Sequence, residues 1–335
     1  MLGNIKIAVD AMGGENSPKK VIYGILENYK QNKDVIYNIF GNTEEITSLL
    51  PNNFDKKVFK IIDTKNKILD TDSALSAAKK GKDTSMWLTI ESVKNNESDV
   101  AISAGNTGAL FVISKLNLKM IENISKPALS ALWPNKENFN VVLDLGANIE
   151  CDDKNLVDFS IMGASLFKSL YPNDDAKVAL LNVGSEELKG NEVIKKAYQN
   201  LQNNNNKNFN FQGYVEGNQI MDGNVNVIVT DGFTGNIALK TAEGTAHFIM
   251  NEFKNSMTSS ILGKISSLIN INNLKKIKKK LDPRLYNGAI LIGLNSPVVK
   301  SHGSTDYIGF SHSLNVCIKI VKNNLIQKIK DNIIR

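Results

Sequence analysis

The chain has 335 residues, 42% hydrophobic and 22% charged, which is ordinary globular composition with enough apolar mass for a large core and about two domains' worth of chain. The formal net charge is +6, but the positive side is nearly all lysine, with Arg284 and Arg335 the arginines. The bidentate fork that nucleic-acid readers favour is therefore scarce, which argues against such a role and leaves acidic partners or anionic lipid as the natural targets of the surplus. Cys151 and Cys317 lie far apart with no C-x-x-C pair, so neither a disulfide framework nor a zinc site is suggested.

Residues 5–9 read as a short apolar strand ending at Asp10, with the turn Ala11-Met12-Gly13-Gly14-Glu15-Asn16-Ser17-Pro18 after it. The strand starts so early that no signal peptide is expected before it, and no window approaches the roughly 18 apolar residues needed to span a bilayer, so a cytoplasmic protein is expected. Ser17 is the expected N-cap and Pro18 the first residue of a helix over 19–29. Gly13-Gly14 lets the backbone approach a ligand, but the turn is not G-x-G-x-x-G, so the dinucleotide fingerprint is missing. A strand over 35–40 and a helix over 44–50 continue the alternation. Residues 70–89 read as helical with a break at Gly81, and the stretch from Lys79 through Lys82 to Ser85 is either a solvated face or a phosphate contact.

Four apolar runs then enter polar, glycine-bearing loops. Residues 100–102 lead into Ser103-Ala104-Gly105-Asn106-Thr107-Gly108-Ala109, and 141–143 into Asp144-Leu145-Gly146-Ala147-Asn148. Residues 178–182 lead into Val183-Gly184-Ser185-Glu186, and 225–230 into Asp231-Gly232-Phe233-Thr234-Gly235-Asn236. In a parallel α/β sheet such exits share one edge, and backbone N–H groups at the following helix N-termini suit an oxyanion. All four loops are expected to face one cleft. Cys151, just past the second exit, reads either as a nucleophile or as a small buried thiol.

Between these loops a strand is expected in 115–140, helices over 156–170 and 187–201, a polar loop at 203–206 and a strand over 209–215. A helix from 237 to about 250 leads into an amphipathic region. Met257, Ile261, Leu262, Ile265, Leu268 and Ile269 fall at helical spacing, and Leu274, Ile277 and Leu281 repeat the pattern among Lys275, Lys276 and Lys278 to Lys280. An apolar stripe beside lysines is what an interfacial membrane helix needs, and equally what a body-packed or subunit-packed helix shows. Strands over 289–294 and 298–300, the turn Ser301-His302-Gly303-Ser304 and a helix from about 313 close the chain. With no linker or composition break, residues 1–335 read as one unit from which 253–283 protrudes.

Several of these stretches carry a resemblance: Asp10-Ala11-Met12-Gly13-Gly14 with Pro18, Lys82 to Met86, Ser103 to Ala109, Asp144 to Asn148 with Cys151, Leu181 to Asn191, Val215-Glu216-Gly217, Asp231 to Asn236, and His302-Gly303-Ser304. In order and spacing the chain resembles, along nearly its whole length, the bacterial acyl-(acyl-carrier-protein):phosphate acyltransferases, the PlsX family. It departs in having Glu15 for aspartate, Thr84 for serine, and Ser185 where a third acidic residue usually stands.

The resemblance implies transfer of a fatty acyl group from acyl carrier protein to inorganic phosphate, giving acyl phosphate for phospholipid synthesis. It also implies a cytoplasmic homodimer at the membrane periphery, with the membrane glycerol-3-phosphate acyltransferase that uses acyl phosphate as a further partner. The implied fold is a Rossmann-like three-layer α/β/α sandwich with a largely parallel sheet, as in phosphate acetyltransferases and isopropylmalate dehydrogenases. Phosphate dianion is already a nucleophile, so no covalent side chain, cofactor or metal is required.

On that reading Asn106, Lys189, His302 and Asn236 are the expected catalytic residues, with His302 either the proton donor to the leaving sulfur or merely a turn cap. Phosphate or the oxyanion is expected at Gly13, Gly14, Lys82, Ser85, Ser103, Gly105, Thr107, Gly108, Asn148, Gly184, Asp231, Thr234 and Gly235. Membrane or carrier-protein contact is expected at Met257, Ile261, Leu262, Ile265, Leu268, Ile269, Lys275 and Lys276. The rival readings are a phosphate acetyltransferase acting on small acyl-CoA, a nicotinamide-dependent dehydrogenase, which the missing fingerprint and missing acidic metal cluster disfavour, and a non-catalytic scaffold.

Overall fold

The computed structural model describes residues 4–203, 208–280 and 282–333. Asn204, Asn205 and Asn206 of the expected polar loop, and Leu281 of the second stripe, lie outside them. The first part alternates β1 (Ile5–Asp10), α1 (Lys19–Gln31), β2 (Val35–Gly41), α2 (Thr43–Leu49), β3 (Phe59–Asp63), α3 (Ala74–Lys80), α4 (Ser85–Lys94), β4 (Val100–Ser103) and α5 (Thr107–Leu118). The middle adds β5 (Ala128–Pro134), β6 (Phe139–Leu143), α6 (Asp153–Leu170), β7 (Lys177–Asn182), α7 (Glu192–Asn203), β8 (Asn210–Glu216), β9 (Val227–Val229) and α8 (Gly232–Thr258). The last part holds α9 (Ile261–Ile269), α10 (Ile271–Lys280), β10 (Ala289–Ile292), β11 (Val298–Lys300), α11 (Tyr307–Lys322) and α12 (Leu325–Ile333).

Helix starts follow their caps. Asn42, Ser73, Thr84, Asn106, Asp152, Asp231 and Asp306 each accept a first-turn N–H. Ser17 does not cap α1: its hydroxyl instead donates to the Gly13 carbonyl at 2.6 Å and ties down the turn. Gly81 does separate two helices, as expected.

The 11 strands form one sheet in the order β3-β2-β1-β4-β11-β10-β5-β6-β9-β7-β8. Seven of its ten pairings are parallel. The three antiparallel ones, β11 with β10, β10 with β5 and β5 with β6, lie together in the middle. Three reversals in a row leave β6, β7, β8 and β9 pointing opposite to β1, β2, β3, β4 and β11.

Alternating side chains make the layers. Ile7 and Val9, Val141 and Leu143, and Val178 and Leu180 face a continuous core with α1, α6, α11 and α12. On the other face Ala8 and Ala101 pack under α3, α4 and α5, while Val142, Ala179 and Ile228 pack under Ala238, Leu239 and Ala242 of α8. The result is a three-layer α/β/α sandwich with a mostly parallel sheet.

Beyond Ala242, α8 leaves the body. Phe248, Ile249, Met250 and Phe253 are exposed, as are Ile261, Leu262, Ile265, Leu268, Ile269 and Ile271 in the helices that follow. Met257 is half-buried and Lys276 exposed, while the side chains of Lys275 and Ile277 lie outside the described residues. Among the described residues no helix is long and apolar enough to cross a membrane.

Candidate active site

Because the sheet reverses, the four exit loops do not share one edge. The loop after β4 leaves with those after β1 and β11, and the loops after β6, β7 and β9 leave from the opposite ends. The expected catalytic residues divide accordingly: Asn106 and His302 on the first edge, Lys189 and Asn236 on the second.

On the first edge the loops are packed backbone against backbone. A Cβ at residue 13 would sit 2.6 Å from both the Asp10 carboxylate and the Gly105 nitrogen, so only glycine fits. Gly14 has φ +81°, and a Cβ there would lie 2.7 Å from the Ala104 carbonyl and 2.9 Å from Lys20 Nζ. Asp10 is buried and accepts from Ser85 Oγ and Ser103 Oγ, each at 2.6 Å, and from the Met12 N–H at 3.1 Å. Burial pushes its carboxyl above the usual range against the pull of these bonds. Each serine has one proton to donate and gives it to Asp10, so Ser85 and Ser103 face a ligand as acceptors only.

Asn106 is similarly committed. Its Oδ1 caps α5 by accepting from Ala109 N–H, and its Nδ2 donates to the carbonyls of Asp70 and Asp72, all at 3.0 Å. Thr107 and Gly108 in the first turn of α5, and Lys82 between α3 and α4, are exposed. His302 is exposed, with Nδ1 3.0 Å from Ser304 Oγ and its backbone N–H bonded to Asn287. Partial desolvation of its ring, and then the Lys300 charge, lower its pKa.

Two residues that sequence reasoning missed complete this edge. Lys20 is 5% and Lys300 9% exposed. The Lys20 ammonium donates to the Gly303 carbonyl, and that of Lys300 to the carbonyls of Ala104 (3.3 Å) and Ser301. A lysine ending the otherwise apolar run Val298-Val299-Lys300 was the available signal.

The second edge is organised by Asp144. It accepts from the N–H groups of Leu129, Ala147 and Asn148 and from Asn148 Nδ2, at 2.7 to 3.0 Å, and burial raises its pKa. Asn148 Nδ2 also donates to the Pro127 carbonyl, so its amide braces the loop. The first turn of α8 lies directly on that loop. The Gly232 N–H donates to the Asn148 carbonyl at 2.8 Å, and a Cβ at residue 235 would fall 1.9 Å from the Asp144 carbonyl oxygen. Asp231 caps this turn through the N–H and hydroxyl of Thr234.

Asn236 is exposed over Gly146. On the adjoining exit, Asn182 Nδ2 holds the carbonyls of Gly184 and Lys189, each at 3.1 Å, and leaves the Lys189 side chain exposed. Since β9 pairs with both β6 and β7, the Asn148, Asn236 and Lys189 loops are neighbours. Burial, and the nearby Asp144 carboxylate, push the Cys151 thiol up to about 11, which leaves it protonated at neutral pH and favours its reading as a structural thiol.

Helix α8 starts on the second edge. It begins at the Asp144 loop, carries Asn236 in its first turn, and passes His302, whose charge feels Glu243 and Lys240. From Asn236 to those two residues the helix rises about 6 to 10 Å. Among the described residues, no group of three His, Cys, Asp or Glu side chains could hold a metal ion.

A three-layer fold with glycine-forced loops and helix N-termini at the strand exits, and without a nucleotide fingerprint, is the arrangement with which α/β enzymes hold anionic substrates. The family model described as "Fatty acid synthesis protein" matches residues 5–328, and the chain belongs to that family. It is 69% identical over 329 residues to the phosphate acyltransferase of Pelagibacter ubique, covering 98% of each chain. It is 42% identical to that of Ehrlichia canis, covering 97% of this chain and 98% of the relative. Among solved structures, the EutD phosphotransacetylase from Staphylococcus aureus has a similar fold, with TM-score 0.63, 16% identity, and coverage of 96% and 94%. A phosphotransacetylase from Streptococcus pyogenes gives TM-score 0.64 at 16% identity, with coverage of 95% and 94%.

Proposed function

We infer that this chain transfers a long-chain acyl group from the thioester of acyl carrier protein to inorganic phosphate. A phosphate oxygen attacks the thioester carbonyl, the C–S bond of the tetrahedral intermediate breaks, and the carrier thiolate leaves and takes up a proton. The observation that carries the reading is the convergence of the Asn148, Asn236 and Lys189 loops beside the first turn of α8. That edge offers an amine, an amide and helix N–H groups to an oxyanion, and membership of a fatty-acid-synthesis family supports the acyl substrate.

Lys189 neutralises charge, Asn236 donates to the oxyanion, and His302, a neutral imidazole, takes the proton that the attacking hydrogen phosphate gives up and passes it to the sulfur. Asn106 keeps the β4 loop in shape, with Gly105, Thr107 and Gly108 offering backbone N–H groups. Lys189→Ala and Asn236→Ala should each lower turnover by about 100-fold, the scale of one lost oxyanion donor. Wild-type turnover in both would remove the assignment.

Residues 253–283 serve as the docking element of a single catalytic unit. The exposed apolar residues 248, 249, 250 and 253 spread around α8 rather than along one stripe, which suits two partners, a second copy of the chain and a membrane surface. A homodimer at the membrane periphery would deliver acyl phosphate to the membrane acyltransferase that consumes it.

A further inference from the structure

Burying an ammonium group is costly unless a charged partner offsets the lost hydration. Lys20 and Lys300 are both buried on the β1–β4–β11 edge, yet among the described residues neither forms an ion pair. Their hydrogen-bond partners are three neutral carbonyls, those of Gly303, Ala104 and Ser301. An ammonium has three N–H donors, so three of the six remain to be used.

Asp10, which also bears on Lys300, is already spoken for: it is enclosed by its two serines and the Met12 N–H. Asp70 acts on both lysines, and Glu15 on Lys20, only at a distance. The Lys20 charge in turn repels that of Lys300. The loops after β1, β4 and β11 meet beside Lys20: a Cβ at Gly14 would lie 2.7 Å from the Ala104 carbonyl, 2.9 Å from Lys20 Nζ and 3.0 Å from the Gly303 carbonyl.

We propose that Lys20 and Lys300 form a binding site for one phosphate group, whose anionic oxygens accept hydrogen bonds from the spare ammonium N–H groups where the loops after β1, β4 and β11 meet. The site deepens the acyl-transfer reading and rests on it. The group is either inorganic phosphate itself or the phosphodiester of the carrier's phosphopantetheine arm. Burial pulls the Lys300 pKa down to about 8, so a bound anion would also restore its full charge at neutral pH.

The test is steady-state kinetics of Lys20→Met and Lys300→Met with palmitoyl-acyl carrier protein and inorganic phosphate. A rise of tenfold or more in KM for phosphate alone assigns the site to the substrate. The same rise in KM for the acyl carrier alone assigns it to the phosphopantetheine phosphodiester. Both KM values within twofold of wild type, in folded variants, overturn the site while leaving the reaction standing; absence of phosphate-dependent turnover in wild type instead removes the reaction.

Should the methionine variants not fold, wild-type crystals soaked with arsenate, and separately with phosphopantetheine, decide. Density for arsenic or phosphorus within hydrogen-bond reach of both Nζ atoms in either soak supports the site. Density at neither overturns it.

Discussion

Replacing Gly235 by alanine tests whether the seating of α8 on the Asp144 loop makes the second edge. The added Cβ would lie 1.9 Å from the Asp144 carbonyl oxygen and 2.9 Å from Thr230 Cγ2, with the first contact about 1 Å inside the 3.0 Å that real Cβ atoms respect. Neither neighbour is the free end of a flexible side chain, so the helix start must lift. Overpacking of this kind costs about 3 kcal/mol, and at roughly 2 °C per kcal/mol for a chain of this size Tm should fall by about 6 °C.

Lifting the first turn also displaces Asn236 from over Gly146, so turnover should fall with stability, by about 100-fold if that donor is lost. Gly244→Ala on the same helix is the control, since nothing lies within 4 Å of its Cβ. It should be neutral or stabilise by up to about 1 kcal/mol. Differential scanning calorimetry with a thiol-release assay reads both quantities. A Gly235→Ala protein with wild-type Tm and wild-type turnover would refute the reasoning.

Lys300→Met should reveal the cost of the buried charge through pH. The folded pKa, about 8, lies below the ordinary 10.5, so between those values the unfolded chain binds more protons and wild-type stability rises with pH. Relative to the variant, wild type should gain up to about 3 kcal/mol across that window; a flat difference in urea unfolding would contradict it. Asn106→Asp keeps the cap but loses the amide bonds to Asp70 and Asp72, so limited proteolysis should open the 70–73 segment while helix content holds; an unchanged digestion pattern speaks against that tether. Ile261→Asp with Ile265→Asp should abolish sedimentation with anionic liposomes and leave turnover in solution intact, whereas loss of folding would place the stripe in a core.

The βα alternation was legible because buried strands such as β4 and β7 carry short unbroken apolar runs that end in polar turns. Nothing in the pattern marks β3, a short edge strand interrupted by Lys60. Helix α8 begins at Gly232 rather than 237, because the two glycines that look like breakers permit the helix to press on the Asp144 loop. Helix α7 begins at Glu192 rather than 187, since Asn182 holds the preceding residues as a loop, and α11 begins six residues before the expected 313.

The division of the candidate site between two edges was not legible. It follows from the antiparallel seam of β10 and β5, and apolar periodicity carries no information about strand direction. The roles of Lys20 and Lys300 were hidden for a related reason: burial of a charge is decided by which loops converge, not by neighbours in sequence.

The most direct test of the central claim is release of free thiol from palmitoyl-acyl carrier protein, with and without inorganic phosphate, beside the same assay on acetyl-CoA. The account predicts phosphate-dependent release from the long-chain carrier thioester, accompanied by acyl phosphate that hydroxylamine traps. Release from acetyl-CoA alone would point to a small-acyl enzyme on the same fold, and no phosphate-dependent release from either thioester would contradict the account outright.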